Sequence, residues 1–146
     1  MIIYIGLFIL LIPCGIYDLR TRLIPVWYVG TFAGLSVLYH LLLSDGFFLQ
    51  MMAGAALGLL FVLVSRISGG ALGMGDALVI TALGLWCGIS DSITLILFAF
   101  ILSGICSGIW ILIRKKSRED SLPFVPFLLL SGIVSCAAAL IQGPIV

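Results

Sequence analysis

An all-α membrane protein that crosses the bilayer six times is the fold this sequence predicts, and three observations carry the prediction. Hydrophobic residues make up 63% of the chain and charged ones 9%, with a mean hydropathy of +1.37, whereas a soluble domain carries about 25% charged residues. Six apolar stretches are each closed by charge or turn residues. All seven Lys and Arg fall in alternate connections between those stretches. Because a spanning helix takes about 20 residues, six spans use up the chain, and residues 1–146 read as a single membrane domain. The net charge of +1 gives no ground for a nucleic-acid partner. The lipid bilayer is the partner that the composition demands.

The first stretch, residues 2–17, lacks the basic start of a signal peptide and meets Asp18 without a convincing small-residue cleavage site. It is expected to remain as the first helix. The second and third stretches, 26–43 and 47–64, are joined by "SDG" at 44–46. A fourth, 77–89, has 13 residues, about 20 Å of helix against a hydrocarbon core of about 30 Å. It must borrow length from its flank, and if a helix or compact turn starts near Gly70, Asp76 is drawn below the membrane surface. "SDS" at 90–92 is expected to be the next external turn, followed by stretches 93–113 and 122–141.

The connections can be sided. Arg20 and Arg22 lie in the first, Arg66 in the third, and Arg114, Lys115, Lys116 and Arg118 in the fifth, while the even connections hold no Lys or Arg. The positive-inside bias places the odd connections in the cytoplasm and both termini outside.

Glycines at four-residue spacing recur at 30 and 34, 54 and 58, 84 and 88, and 104 and 108. Small residues let helix backbones approach closely in lipid, so a compact bundle is expected, and any of the pairs can serve a homo-oligomer contact. Cys14, Cys87, Cys106 and Cys136 stand singly with no CxxC pair and no histidine at ligand spacing, which reads as packing rather than metal or disulfide chemistry. His40, near the external end of the second helix, reads as an interfacial or packing residue.

Six acidic residues remain to be placed. Glu119 and Asp120 sit in the polar run "RKKSRED", and Asp45 and Asp91 in external turns, where aspartate is ordinary. Asp18 ends the first helix and Asp76 begins the fourth, with two helical hairpins between those ends, so both carboxylates face the cytoplasmic side at similar depth. Each has a plain structural role as well: Asp18 as a helix-end acid near Arg20 and Arg22, Asp76 as an N-cap. Together they supply what water-activating proteolysis needs, one ionised acid to take a proton from water and one protonated acid to polarise the scissile carbonyl. Such a pair shares a proton, and one buried charge is cheaper than two. Gly73 and Gly75 permit close approach by an extended substrate, and equally by a neighbouring helix.

These residues resemble a known family. "GMGD" at 73–76 is similar to the GxGD signature of intramembrane aspartyl proteases. With "YDLRTRLIP" at 17–25 and "PFVPFLLLSG" at 123–132, the chain resembles the type IV prepilin peptidases and archaeal preflagellin peptidases. The resemblance implies that Asp18 and Asp76 are the catalytic pair, acting without cofactor or metal. It also implies that Pro25, Gly73, Gly75, Pro123, Phe124 and Pro126 shape the site or meet substrate. The implied substrate is a prepilin-like membrane protein with a basic leader and a hydrophobic stem, cut at the cytoplasmic face of the cell membrane. Larger members carry a cytosolic insertion with paired CxxC motifs and N-methyltransferase activity; with no CxxC here, no methylation is expected. Two positions depart from the family pattern: Leu78 stands where lysine is frequent, and Val26 where asparagine or aspartate is.

Two other function classes use intramembrane carboxylates or packed glycines. A small transporter or proton-translocating subunit relays charge on carboxylates, but needs polar groups across the bilayer depth, and both acids here lie at one face. A structural assembly component explains the glycines and leaves the acids idle. Presenilin-like proteases share GxGD, yet place the other aspartate on the preceding helix and carry a late PAL motif that this chain lacks.

Overall fold

The computed structural model describes residues 2–43, 46–68, 73–114 and 124–142, and these are all-helical. Five helices follow in order: α1 (Ile2–Thr21), α2 (Val26–Leu43), α3 (Phe48–Ile67), α4 (Met74–Arg114) and α5 (Val125–Gln142). Four of them are long and apolar enough to cross a membrane, and Val125–Ile141 is a shorter apolar helix. The chain is an all-α membrane protein.

The six stretches expected from sequence therefore fall on five elements, because the fourth and fifth are two arms of α4. Its break is at Gly88, where φ is 76° and ψ is −178°, a backbone region that is essentially open to glycine alone. This corrects the position expected for the turn. Residues 90–92 are helical, and Asp91 lies in the first turn of the second arm rather than in a loop. Serine and aspartate suit a helix start as well as a turn, so the polar triplet marked the neighbourhood and glycine the break itself.

α1, both arms of α4 and the start of α5 form the centre. Leu10, Leu11, Cys14, Val79, Ile80, Leu83, Val125 and Leu128 are fully enclosed there. The most extensive packing joins α3 to α4. At this seam a Cβ on Gly54 would fall on the Gly84 carbonyl, one on Gly84 on the Gly54 carbonyl, and one on Gly58 on Thr81. These glycines do what small residues do in lipid and let two backbones touch. Gly30, Gly34, Gly104 and Gly108, expected to do the same, have nothing within 4 Å of a Cβ position. Of the cysteines, all four are free thiols; Cys14 and Cys87 are buried and Cys106 is exposed.

Two breaks in helical hydrogen bonding are repaired by side chains from neighbouring helices. Pro13 has no N–H for the Ile9 carbonyl four residues back, and the Tyr28 hydroxyl of α2 donates to that carbonyl instead. At Gly88 the departure from helix frees the carbonyls before it. His40 Nε2 lies 3.0 Å from the Trp86 carbonyl, and the imidazole stacks on Phe47 with ring centroids 4.4 Å apart. Trp86 in turn donates its indole N–H to the Ile3 carbonyl at 2.8 Å. The packing role expected for His40 is thus specific: it closes the broken end of the first arm.

Candidate active site

Asp18 is three residues from the end of α1 and 6% exposed. Its Oδ2 accepts the backbone N–H of Val125 at 3.4 Å. Val125 is the first residue of α5, and the first N–H groups of a helix have no partner within it, so a carboxylate there meets both an open donor and the positive end of the helix. α1 then stops abruptly. Arg22 adopts φ 53° and gives its N–H to the Asp18 carbonyl at 2.9 Å, a left-handed cap that turns the chain back. Pro25 cannot extend the previous helix, and its carbonyl accepts the N–H groups of Tyr28 and Val29 at 3.0 and 3.2 Å to start α2.

Asp76 is the third residue of α4 and half-buried. The cap is Gly73, whose carbonyl accepts the Ala77 N–H at 3.2 Å, so Asp76 is not the N-cap that a purely local reading offers. α4 begins at Met74, which puts Asp76 in its first turn; Gly70 lies outside the described residues. The Asp76 carboxylate folds back over Gly73, where a Cβ would sit 2.7 Å from Oδ2. Gly75 carries the turn after α1, since a Cβ there would lie 2.9 Å from the Ile24 side chain. Both glycines have a reason inside the chain to lack a side chain.

Asp18 and Asp76 line one cleft of about 350 Å³, together with Arg22, Gly73, Gly75 and Leu78. Of the other residues singled out in the sequence, Pro25 sets the start of α2 behind the cleft wall. Phe124 is 8% exposed, packs on Phe100 at 4.9 Å and opens α5 by accepting the N–H groups of Phe127 and Leu128. Pro126, the second residue of α5, occupies a position where a missing N–H costs little. Neither Phe124 nor Pro126 lines the cleft, but both shape the helix end that holds Asp18. Pro123 lies outside the described residues, as do Asp45, Lys115, Lys116, Arg118, Glu119 and Asp120.

Sequence reasoning set Arg22 near Asp18 but missed Ile24 and the Val125 N–H; a backbone donor has no signal in a sequence. Among the described residues no group of three or more His, Cys, Asp or Glu is placed to hold a metal ion. A second cavity, of about 290 Å³, lies at the other end of α1 between Tyr4, Asp91, Thr94 and Ser135. Among the described residues that line it, Asp91 is the one carboxylate.

Residues 5–109 match the type IV leader peptidase family. Among curated proteins, the chain is 32% identical over 63 residues to a prepilin leader peptidase/N-methyltransferase of Xanthomonas campestris pv. campestris. That match covers 43% of this chain and 22% of the relative, so the chain matches about a fifth of the relative's length. No solved structure matches. With more than half of its residues matched and an acid pair set in a membrane-helix bundle, the chain belongs to the type IV leader peptidase family.

Proposed function

We propose that the protein is an intramembrane aspartyl endopeptidase that removes the leader of a prepilin-like membrane protein at the cytoplasmic face of the cell membrane. The observation that carries this reading is the shared cleft of Asp18 and Asp76, in a chain whose family acts on leader peptides. One carboxylate takes a proton from water as its oxygen attacks the scissile carbonyl carbon; the other, protonated, donates to the carbonyl oxygen. When the carbon–nitrogen bond breaks, the proton passes to the departing amine.

In this reading the chain spans the bilayer six times, with each arm of α4 counted as one span. The distribution of Arg and Lys supports cytoplasmic placement of the Asp18 end and extracytoplasmic termini. Methylation of the product is not expected of these residues. The alternative of proton or ion translocation has no observation in its favour.

The test is cleavage of a full-length prepilin-like substrate by the purified protein in lipid, with the released leader identified by mass. Expected is one cut at the end of the basic leader, with the product unmethylated when S-adenosylmethionine is supplied. No cut in several such substrates overturns the reading and redirects attention to proton flux.

A further inference from the structure

Among the described residues three have a positive φ, and two of them are glycines, Gly46 and Gly88. The third is Arg22, at φ 53°. A side chain is strained in this region, and glycine is the residue that left-handed helix ends prefer. Strain of this kind collects at functional sites, where the surrounding structure holds it in place. Arg22 stands at such a site: it lines the cleft of Asp18 and Asp76 and is the one cation among the described residues that do. Arg20, two residues earlier, and Arg66, in the last turn of α3, do not line it.

The turn hangs Arg22 from the first acid. Its N–H donates to the Asp18 carbonyl at 2.9 Å. The Thr21 hydroxyl pins the turn on both sides, donating to the Tyr17 carbonyl at 2.8 Å and accepting the Leu23 N–H at 3.3 Å. Helix ends do not tell the two acids apart, since Asp18 meets the start of α5 through the Val125 N–H and Asp76 lies in the first turn of α4. Asp18 is the more enclosed of the two, so an ionised Asp18 needs a cation to support it. α1 packs on α4 and α5. The groups these elements bring to Asp18 are the buried thiol of Cys14 one turn earlier on α1, Asp76 from α4, and the Val125 N–H from α5. None of them is a cation, which leaves Arg22, whose guanidinium stays charged wherever carboxyl groups titrate.

We infer that Arg22 is the positioning residue of the acid pair: it holds Asp18 as the ionised member, the base that takes a proton from water, and leaves Asp76 as the protonated member that donates to the scissile carbonyl. This rests on the proteolytic reading above and assigns the two roles that reading leaves open. The left-handed turn puts the guanidinium in the cleft. Glycine would relax the turn and lose the charge.

The test compares Arg22→Gln, Arg22→Lys and Arg22→Gly in the full chain in lipid, with kcat/KM for a full-length prepilin-like substrate followed against pH. The base must be ionised and the acid protonated, so the acidic limb of the profile follows the first and the alkaline limb the second. Loss of a cation beside a carboxylate disfavours the charged form. The acidic limb should therefore move up by roughly one pH unit in the Gln and Gly variants, about a tenfold loss of cleavage on that limb, with the alkaline limb held, and Arg22→Lys should restore it. Arg22→Gly should unfold no earlier than the unaltered chain, because it relieves the turn. An acidic limb that stays in place, limbs that move together, a limb that lysine does not restore, or cleavage that falls only in step with the unfolding midpoint overturns the inference. A second arm needs no substrate and titrates the infrared band of the protonated carboxyl groups. Arg22→Gln should displace that titration in an Asp76→Asn background and leave it in place in an Asp18→Asn background. Displacement in neither, equal displacement in both, or the reverse pattern overturns the inference. If the unaltered chain cleaves nothing, the proteolytic reading fails, and the infrared arm still decides whether Arg22 sets the charge on Asp18.

Discussion

The two ends of the bundle face the same physical problem and resolve it differently. At the Gly88 end, a helix broken in the membrane frees backbone carbonyls, and His40 meets that of Trp86 with Phe47 stacked over the imidazole, while the Trp86 indole N–H ties the broken end to the Ile3 carbonyl of α1. At the Asp18 end, helix ends also meet, but two carboxylates stand there, and among the described residues one hydrogen bond, from the Val125 N–H to Asp18, reaches them. Carboxylates have room for about four hydrogen bonds each. One end covers a freed carbonyl with a side chain, although the buried Ser92 hydroxyl beside it has no partner among the described residues; the other sets two carboxylates on a cleft.

The comparison can be broken first at the seam that carries both ends. Gly84→Leu puts side-chain atoms where the Gly54 carbonyl lies, an overpacking with no flexible neighbour to yield. A loss of about 3 kcal/mol or more is expected, read as a collapse of the unfolding midpoint in detergent. Gly88→Ala acts at the structural end alone. It forces a side chain into a conformation reserved for glycine and toward Phe47, whose ring carbon would lie 2.9 Å away, so a loss of about 1–3 kcal/mol is expected by the same measurement.

His40→Leu sharpens the contrast more gently. The Trp86 carbonyl loses its partner in a partly buried place, at a cost of about 1–3 kcal/mol, while cleavage per folded molecule stays near that of the unaltered protein. An equal fall in turnover would mean that the two ends are coupled. Smallest is Gly30→Ala, on a face with nothing within 4 Å, where a change within about 0.5 kcal/mol is expected. A larger effect there would reveal a contact with a second copy.

Much of this was legible in the sequence for a reason that can be named. Hydropathy locates apolar stretches because lipid demands it, and counting hairpins between Asp18 and Asp76 is enough to put both at one end. What could not be read depends on three-dimensional contact. The spacing of Gly30 and Gly34 is identical to that of Gly54 and Gly58, yet only the latter pair meets a backbone. "SDS" looked more like a turn than Gly88 did, because polarity is visible in a string and a positive φ is not. Residues 73 and 75 read as room for substrate, while the structure also gives each an internal neighbour, Asp76 for one and Ile24 for the other. The support of Asp18 by Val125 was out of reach, since the donor is an amide that every residue but proline carries.

The most direct measurement compares three aspartates in one assay. Asp18→Asn, Asp76→Asn and Asp91→Asn, each confirmed as folded, would be tested for leader cleavage of a full-length prepilin-like substrate. Loss of about 10²–10⁴-fold is expected for Asp18 and Asp76, the usual range for removing a positioned acid or base, with little change for Asp91 at the opposite end. Cleavage retained by either of the first two, or lost equally in all three, would contradict an acid pair confined to the Asp18 end.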